Sequence, residues 1–206
     1  MSGNLDTGTI AEGWLIPAIA ARGAAIMNID LIPAGADAPH SINVLIEVPI
    51  GGEPVKYEFD KKSGAMVVDR ILHTPMRYPT NYGFIPQTLC DDGDPLDCLV
   101  MTRWTLQPGV VIACRPVGVL YLEDEAGGDE KILAVPITKI SPYYKDVENY
   151  TDLPPIVIEQ IEHFFTHYKD LEPEKWVRVG TWGDAAAARQ VVLDSIAKAS
   201  AEKVPA

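Results

Sequence analysis

Cysteine is scarce: three thiols, Cys90, Cys98 and Cys114, occur in 206 residues, with no CxxC spacing. An odd number so spaced reads as reduced core thiols in a cytoplasmic protein rather than a disulfide framework. Basic residues are also few, 17 Lys and Arg against 29 Asp and Glu, for a net charge of −12. Nucleic acid and anionic membrane surfaces need a basic footprint, so neither is an expected partner. No apolar run approaches the ~20 residues that span a bilayer. The apolar "WLIPAIA" stretch follows Asp6 and Glu12 with no Lys or Arg before it, a poor secretory signal. A phosphate-binding Gly-rich loop is missing, as is a convincing Ser/His/Asp or Cys/His nucleophile pair.

What remains is an ordinary globular composition, 47% hydrophobic and 22% charged, long enough for one sizeable domain. Residues 1–26 read as a loosely ordered extension before a single domain at 27–206. From 42 to about 140 the chain is strand-like: "INVLIEV", "VKYEFD", "AMVVDRIL", "LDCLVM", "GVVIACRPVGVLYL" and "KILAVPI" are β-branched or alternating. "IGGEP", "KKSG" and "EDEAGGDE" read as turns. Two helices follow, at 154–170 with an apolar stripe of Val157, Ile161, Phe164, Phe165 and Tyr168, and at 184–203 behind a capping Asp184. The expected class is α+β, with helices packed outside a small β-barrel.

The stretch "LCDDGDPLDCLV" crowds four aspartates into seven positions, and Asp97 falls inside an apolar run. Burying that charge is costly unless something positive sits beside it. An EF-hand fails, because Leu96, Asp97 and Arg103 stand where an oxygen ligand, Gly and an acid are needed. The paired aspartates of haloacid-dehalogenase-type phosphatases need parallel α/β units, which are not evident. His163 and His167, four apart on a helix, have zinc-compatible spacing but no third ligand, and a surface or subunit contact suits them better.

Period 2 turns Lys56 and Glu58 to one side of their strand and Tyr57 and Phe59 to the other. If the aromatics are core, the charged pair faces an opening that Glu47 can reach, while Arg70 lies on a third strand. Taken singly these residues have plainer readings. Lys56 and Glu58 suit a wet strand face, Asp124 and Asp129 a turn, and Lys169 a helix carboxyl end. Tyr78 and Tyr82 suit packing positions with wet hydroxyls.

"IEVP", "VKYEFDKKSG", "VDR", "RYPTNYGFIP", "DDGDPLDCLV", "QPGVVIACRPVGVL", "EDEAGGDEKILAVP" and "HFFTHYKDLEPEKWV" together resemble the soluble family I inorganic pyrophosphatases, bacterial type. The likeness runs from about Asn28 to the carboxyl terminus, and Asp92–Cys98 satisfies every position of the family signature. It implies a five-stranded OB-type β-barrel with flanking helices and hydrolysis of pyrophosphate to two phosphates with Mg²⁺, Mn²⁺ being a substitute. By motif, Asp92, Asp97 and Asp129 match metal ligands, Asp124 serves metals arriving with substrate, and Asp94 is the general base. Lys56, Arg70, Tyr82, Tyr168 and Lys169 match the phosphate-binding set, with Glu47, Glu58, Tyr78 and Lys131 supporting. Bacterial members are typically homohexamers. They begin near "MNIDLIPAG", so residues 1–26 are expected to be a lineage-specific extension or the product of an upstream start at Met1 rather than Met27.

These assignments set seven acids against four bases, a site charge of about −3. Each like-charge pair at ~4 Å costs roughly 4 kcal/mol at an effective dielectric of 20, so a bare site repels a polyanion. Oxygen-only ligands select hard ions, which reverse the sign and make water a nucleophile near neutral pH. Direct attack by water without a phosphoenzyme is expected. A non-catalytic OB-type binding module and a broader metal-dependent phosphatase are the alternatives.

Overall fold

Alternation and β-branching place most strands correctly. The computed structural model describes residues 27–125 and 127–202, so the extension at 1–26 lies outside the described residues. The strands are β1 (Ile42–Val48), β2 (Val55–Asp60), β3 (Ala65–Ile71), β4 (Asn81–Phe84), β5 (Asp97–Val100), β6 (Val111–Asp124) and β7 (Gly127–Pro136). After them come α1 (Pro155–His167), β8 (Val177–Gly183) and α2 (Ala185–Glu202).

Six strands make one sheet in the order β1-β4-β5-β7-β6-β8, and β1 also pairs with β6. The pairing therefore runs in a cycle through β1, β4, β5, β7 and β6, antiparallel except for β5 with β7. β2 and β3 form a separate hairpin closed by the "KKSG" turn. The sheet's two sides meet different helices, because successive strand residues point opposite ways. Leu99, Leu120 and Leu133 pack with Ile161, Phe164 and Phe165 of α1. Cys98, Val100, Ile132 and Ala134 pack with Ala188 and Val192 of α2. Each fully buried Leu, Ile or Phe contributes about 1.5–3 kcal/mol relative to exposure. Asp184 caps α2 as expected, its Oδ1 accepting the Ala187 N–H at 2.8 Å.

Two strands went unread in the sequence, and one thiol is less buried than expected. "RYPTNYGFIP" contains β4, which runs so close to β1 that a Cβ on Gly83 would lie 1.8 Å from the Leu45 carbonyl oxygen. β8 was not anticipated either; its Val177, Val179 and Trp182 are only partly buried against the core, too weak an alternation to read. "EDEAGGDE" does turn the chain between neighbouring strands, and tightly: β6 runs through Asp124 and β7 starts at Gly127, so Asp124 and Asp129 stand on strands. Cys98 and Cys114 are buried core thiols, but Cys90 is only half-buried. Among the described residues, no helix is long and apolar enough to cross a membrane.

Candidate active site

One end of the sheet, the β2–β3 hairpin and the end of α1 converge on a cavity of about 170 Å³. All fourteen residues matched to the site by motif line it. β1 contributes Glu47, the hairpin Lys56, Glu58 and Arg70, and β4 with the segment before it Tyr82 and Tyr78. The acidic loop and β5 bring Asp92, Asp94 and Asp97, β6 and β7 bring Asp124, Asp129 and Lys131, and the turn after α1 brings Tyr168 and Lys169. Gly93, with φ of 89°, lets the acidic loop turn back, and Asp92 accepts the Asp94 N–H at 2.9 Å.

The positive partner of Asp97 is Lys131. Parallel register sets the two residues side by side on β5 and β7. The Lys131 ammonium lies 2.7 Å from Asp97 and 2.8 Å from Asp129. It also stands 5.5 Å from the Tyr82 ring and 5.4 Å from the Phe165 ring, cation–π distances that favour a desolvated ammonium. Burial alone would lower the Lys131 ammonium, but Asp97 and Asp129 reverse this and hold it well above the usual lysine range. Burial pushes the Asp129 carboxyl up against the opposing pull of Lys131, and Asp97 adds to the rise.

The tyrosines are kept as proton donors. Burial, then the Asp97 charge, raises the Tyr82 phenol well above its ordinary value, and its hydroxyl donates to Asp97. Burial likewise raises Tyr78 and Tyr168. Lys169 is held by Asp124 at 2.9 Å and Glu125 at 3.4 Å, while Lys56 reaches Asp69 at 3.3 Å. Asp94 lies 3.4 Å from Lys61; both side chains are exposed, so this pair is worth at most about 1 kcal/mol. Among the described residues, no three His, Cys, Asp or Glu groups are close enough to hold a metal ion as they stand. Two acids share the buried Lys131 instead, the response expected of partly desolvated opposite charges.

Sequence reasoning missed Lys61, Cys90 and Glu130 in the cavity wall, and Glu125 and Glu172 behind it. Lys61 and Glu125 stand in turn-like segments where charge carries no signal. The Cys90 thiol is pushed up to about 12 by burial and then by the Asp92 charge, so it is protonated at neutral pH. His163 and His167 lie outside the cavity, exposed on α1, with rings 4.6 Å apart and His167 on Asp170 at 2.8 Å.

Glu47 gives a pH prediction. Burial raises its carboxyl from 4.5 to about 8, although the Phe59 N–H it accepts at 2.8 Å pulls the other way. Between about pH 4.5 and 8 the folded cation-free protein keeps a proton that the unfolded chain releases, so stability falls as pH rises. Thermal unfolding in EDTA is expected to show this decline, and Glu47→Gln to flatten it. Identical pH profiles for the two proteins would contradict the assignment.

Comparison with known proteins shows the family. A family model described as inorganic pyrophosphatase matches residues 44–200. The inorganic pyrophosphatase of Bradyrhizobium diazoefficiens is 56% identical over 177 residues, 86% of this chain and 99% of the relative. That of Pseudomonas aeruginosa is 57% identical over 171 residues, 83% of this chain and 98% of the relative. Among solved structures, the Thermus thermophilus inorganic pyrophosphatase superposes with a TM-score of 0.80 at 43% identity, covering 84% of this chain and 99% of that one. The Coxiella burnetii structure gives 0.79 at 47%, covering 81% and 99%. The chain belongs to the inorganic pyrophosphatase family, and its relatives are of the bacterial type.

Proposed function

We propose that the chain hydrolyses inorganic pyrophosphate to two phosphates with Mg²⁺, Mn²⁺ serving as a substitute. The observation that carries this reading is the convergence of fourteen charged and phenolic residues from distant segments on one cavity. The donor set suits a hard cation: Asp92, Asp97 and Asp129, with Asp124, offer only oxygen. When bound, such cations would supply positive charge against acids and substrate and acidify a coordinated water.

The chain's own residues do the rest. Asp94, exposed and weakly held, is assigned the proton of the attacking water. Lys56 and Tyr82 hold the phosphoryl group under attack, the Tyr82 phenol staying protonated. Arg70, Tyr168 and Lys169 stabilise charge on the departing phosphate, since positioning and electrostatics dominate phosphoryl transfer. Glu47, Glu58, Tyr78 and Lys131 keep these groups aligned. Lys131 and Lys169 are each paired with acids, so binding of substrate and cations would re-pair existing charges.

The cyclic pairing of five strands supports reading the fold as an OB-type barrel with flanking helices. We also assign a cytoplasmic location and a homohexamer, the latter supported by exposed Ile156 and by the exposed His163 and His167 of α1.

Phosphate release from pyrophosphate is the test. Two phosphates per pyrophosphate are expected with Mg²⁺, and none with EDTA or from a phosphomonoester. Equal release in EDTA, or preference for the ester, would overturn the proposal. Ca²⁺ is expected to compete with Mg²⁺ and inhibit, because its looser coordination misplaces the attacking water. Turnover with Ca²⁺ alone at the Mg²⁺ rate would contradict this.

A further inference from the structure

Glu172 does not line the cavity, yet its side chain is only 7% exposed and its Oε2 lies 2.8 Å from Arg70 Nη1. Its other oxygen, Oε1, is buried with no hydrogen-bond partner among the described residues. A buried carboxylate satisfied at one oxygen is poor value as a stabilising device, since desolvation offsets most of the attraction. What the pair does is geometric. Arg70 belongs to the β2–β3 hairpin, which pairs with no strand of the main sheet. Backbone bonds between strands therefore do not fix where Lys56 and Arg70 stand relative to Tyr168 and Lys169.

Side chains make that connection. Glu172 sits in the turn after α1, its N–H donating to the Lys169 carbonyl at 2.8 Å. Two neighbouring bonds join the same segments: His73 Nδ1 to the Leu171 carbonyl at 3.0 Å, and Thr74 Oγ1 to the Tyr168 carbonyl at 3.2 Å. Asp69 holds Arg70 Nε at 3.1 Å and also meets Lys56 at 3.3 Å. With Nε and one Nη1 hydrogen held by acids, the second Nη1 hydrogen and Nη2 remain as an edge for an anion. A guanidinium gripped on two edges keeps one orientation, which a bidentate anion contact requires.

We propose that Glu172 is a positioning residue for substrate capture: by clamping Arg70 it locks the hairpin against the Tyr168–Lys169 turn, so that phosphate-facing groups from two separate elements hold one spacing. This rests on the pyrophosphatase reading above. It acts through Arg70 and touches no reacting atom.

A double-mutant cycle of Glu172→Gln and Arg70→Lys, assayed with pyrophosphate and Mg²⁺, tests it. Losing a charge-assisted bond to a gripped guanidinium is expected to raise KM about tenfold in Glu172→Gln, with kcat changed less than about threefold. In the Arg70→Lys background the same substitution is expected to add little, because its route of action is already cut. An unchanged KM in Glu172→Gln, or losses that multiply in the double variant, would overturn this inference while leaving the hydrolysis intact. Wild-type protein that leaves pyrophosphate uncleaved would overturn the parent reading and this one with it. Should Glu172→Gln fail to fold, Glu172→Asp keeps the charge but shortens the reach. It is expected to show the same KM rise, and a wild-type KM there would overturn the proposal.

Discussion

Asp97→Asn is expected to lower kcat/KM about a thousandfold while the protein still folds. Asp97 is where three features meet: the acidic loop, the first residue of β5 and the buried ammonium of Lys131. Asparagine matches its shape and still offers an oxygen to the Tyr82 hydroxyl, and Lys131 keeps Asp129 at 2.8 Å. The folded frame should therefore survive with a modest loss of stability. What disappears is a negative charge at the proposed cation position, and with it the means of reversing the site's sign towards a polyanion. Steady-state kinetics, Mg²⁺ titration by calorimetry and thermal melting check the three parts together. Near wild-type activity at ordinary Mg²⁺ would remove Asp97 from the role assigned to it.

Lys131→Met is expected to give a protein whose thermal stability depends on divalent cations. Lys131 is 3% exposed and is the ammonium shared by Asp97 and Asp129. Removing it leaves two partly buried carboxylates facing each other without a counter-charge, and breaking a buried pair costs about 3–5 kcal/mol. For a domain of this size that lowers the melting temperature by about 10 °C in EDTA near pH 8. Mg²⁺ should restore most of the loss, since a bound cation stabilises the folded state by mass action and supplies the missing charge. Wild-type melting in EDTA would contradict the ion-pair description, and failure of Mg²⁺ to rescue would contradict the cation site.

The strands were legible where alternation was strong, as in β1 and β2, whose limits match the quoted segments. β4 was not, because four residues containing Asn81 and Gly83 carry no pattern, and their neighbours are set by distant pairing. The site shows the same division. Asp129 and Lys131 share a strand face two residues apart, which period 2 reveals. That Lys131 also serves Asp97 depends on the parallel β5–β7 register, which no local rule encodes. The cost of Asp97 in an apolar run announced a cation, but the first one present is a lysine. Glu172 was hidden for another reason. In "KDLEPE" it reads as one more solvated acid, and only the packing of the hairpin against the turn buries it.

The most direct measurement is anomalous diffraction from crystals grown with Mn²⁺. Strong peaks are expected among Asp92, Asp97 and Asp129, with the Lys131 ammonium drawn away from at least one of its two acids. Manganese bound elsewhere, or these carboxylates still paired only with Lys131 at saturating Mn²⁺, would contradict the claim that the acids gather to hold cations for an anionic substrate.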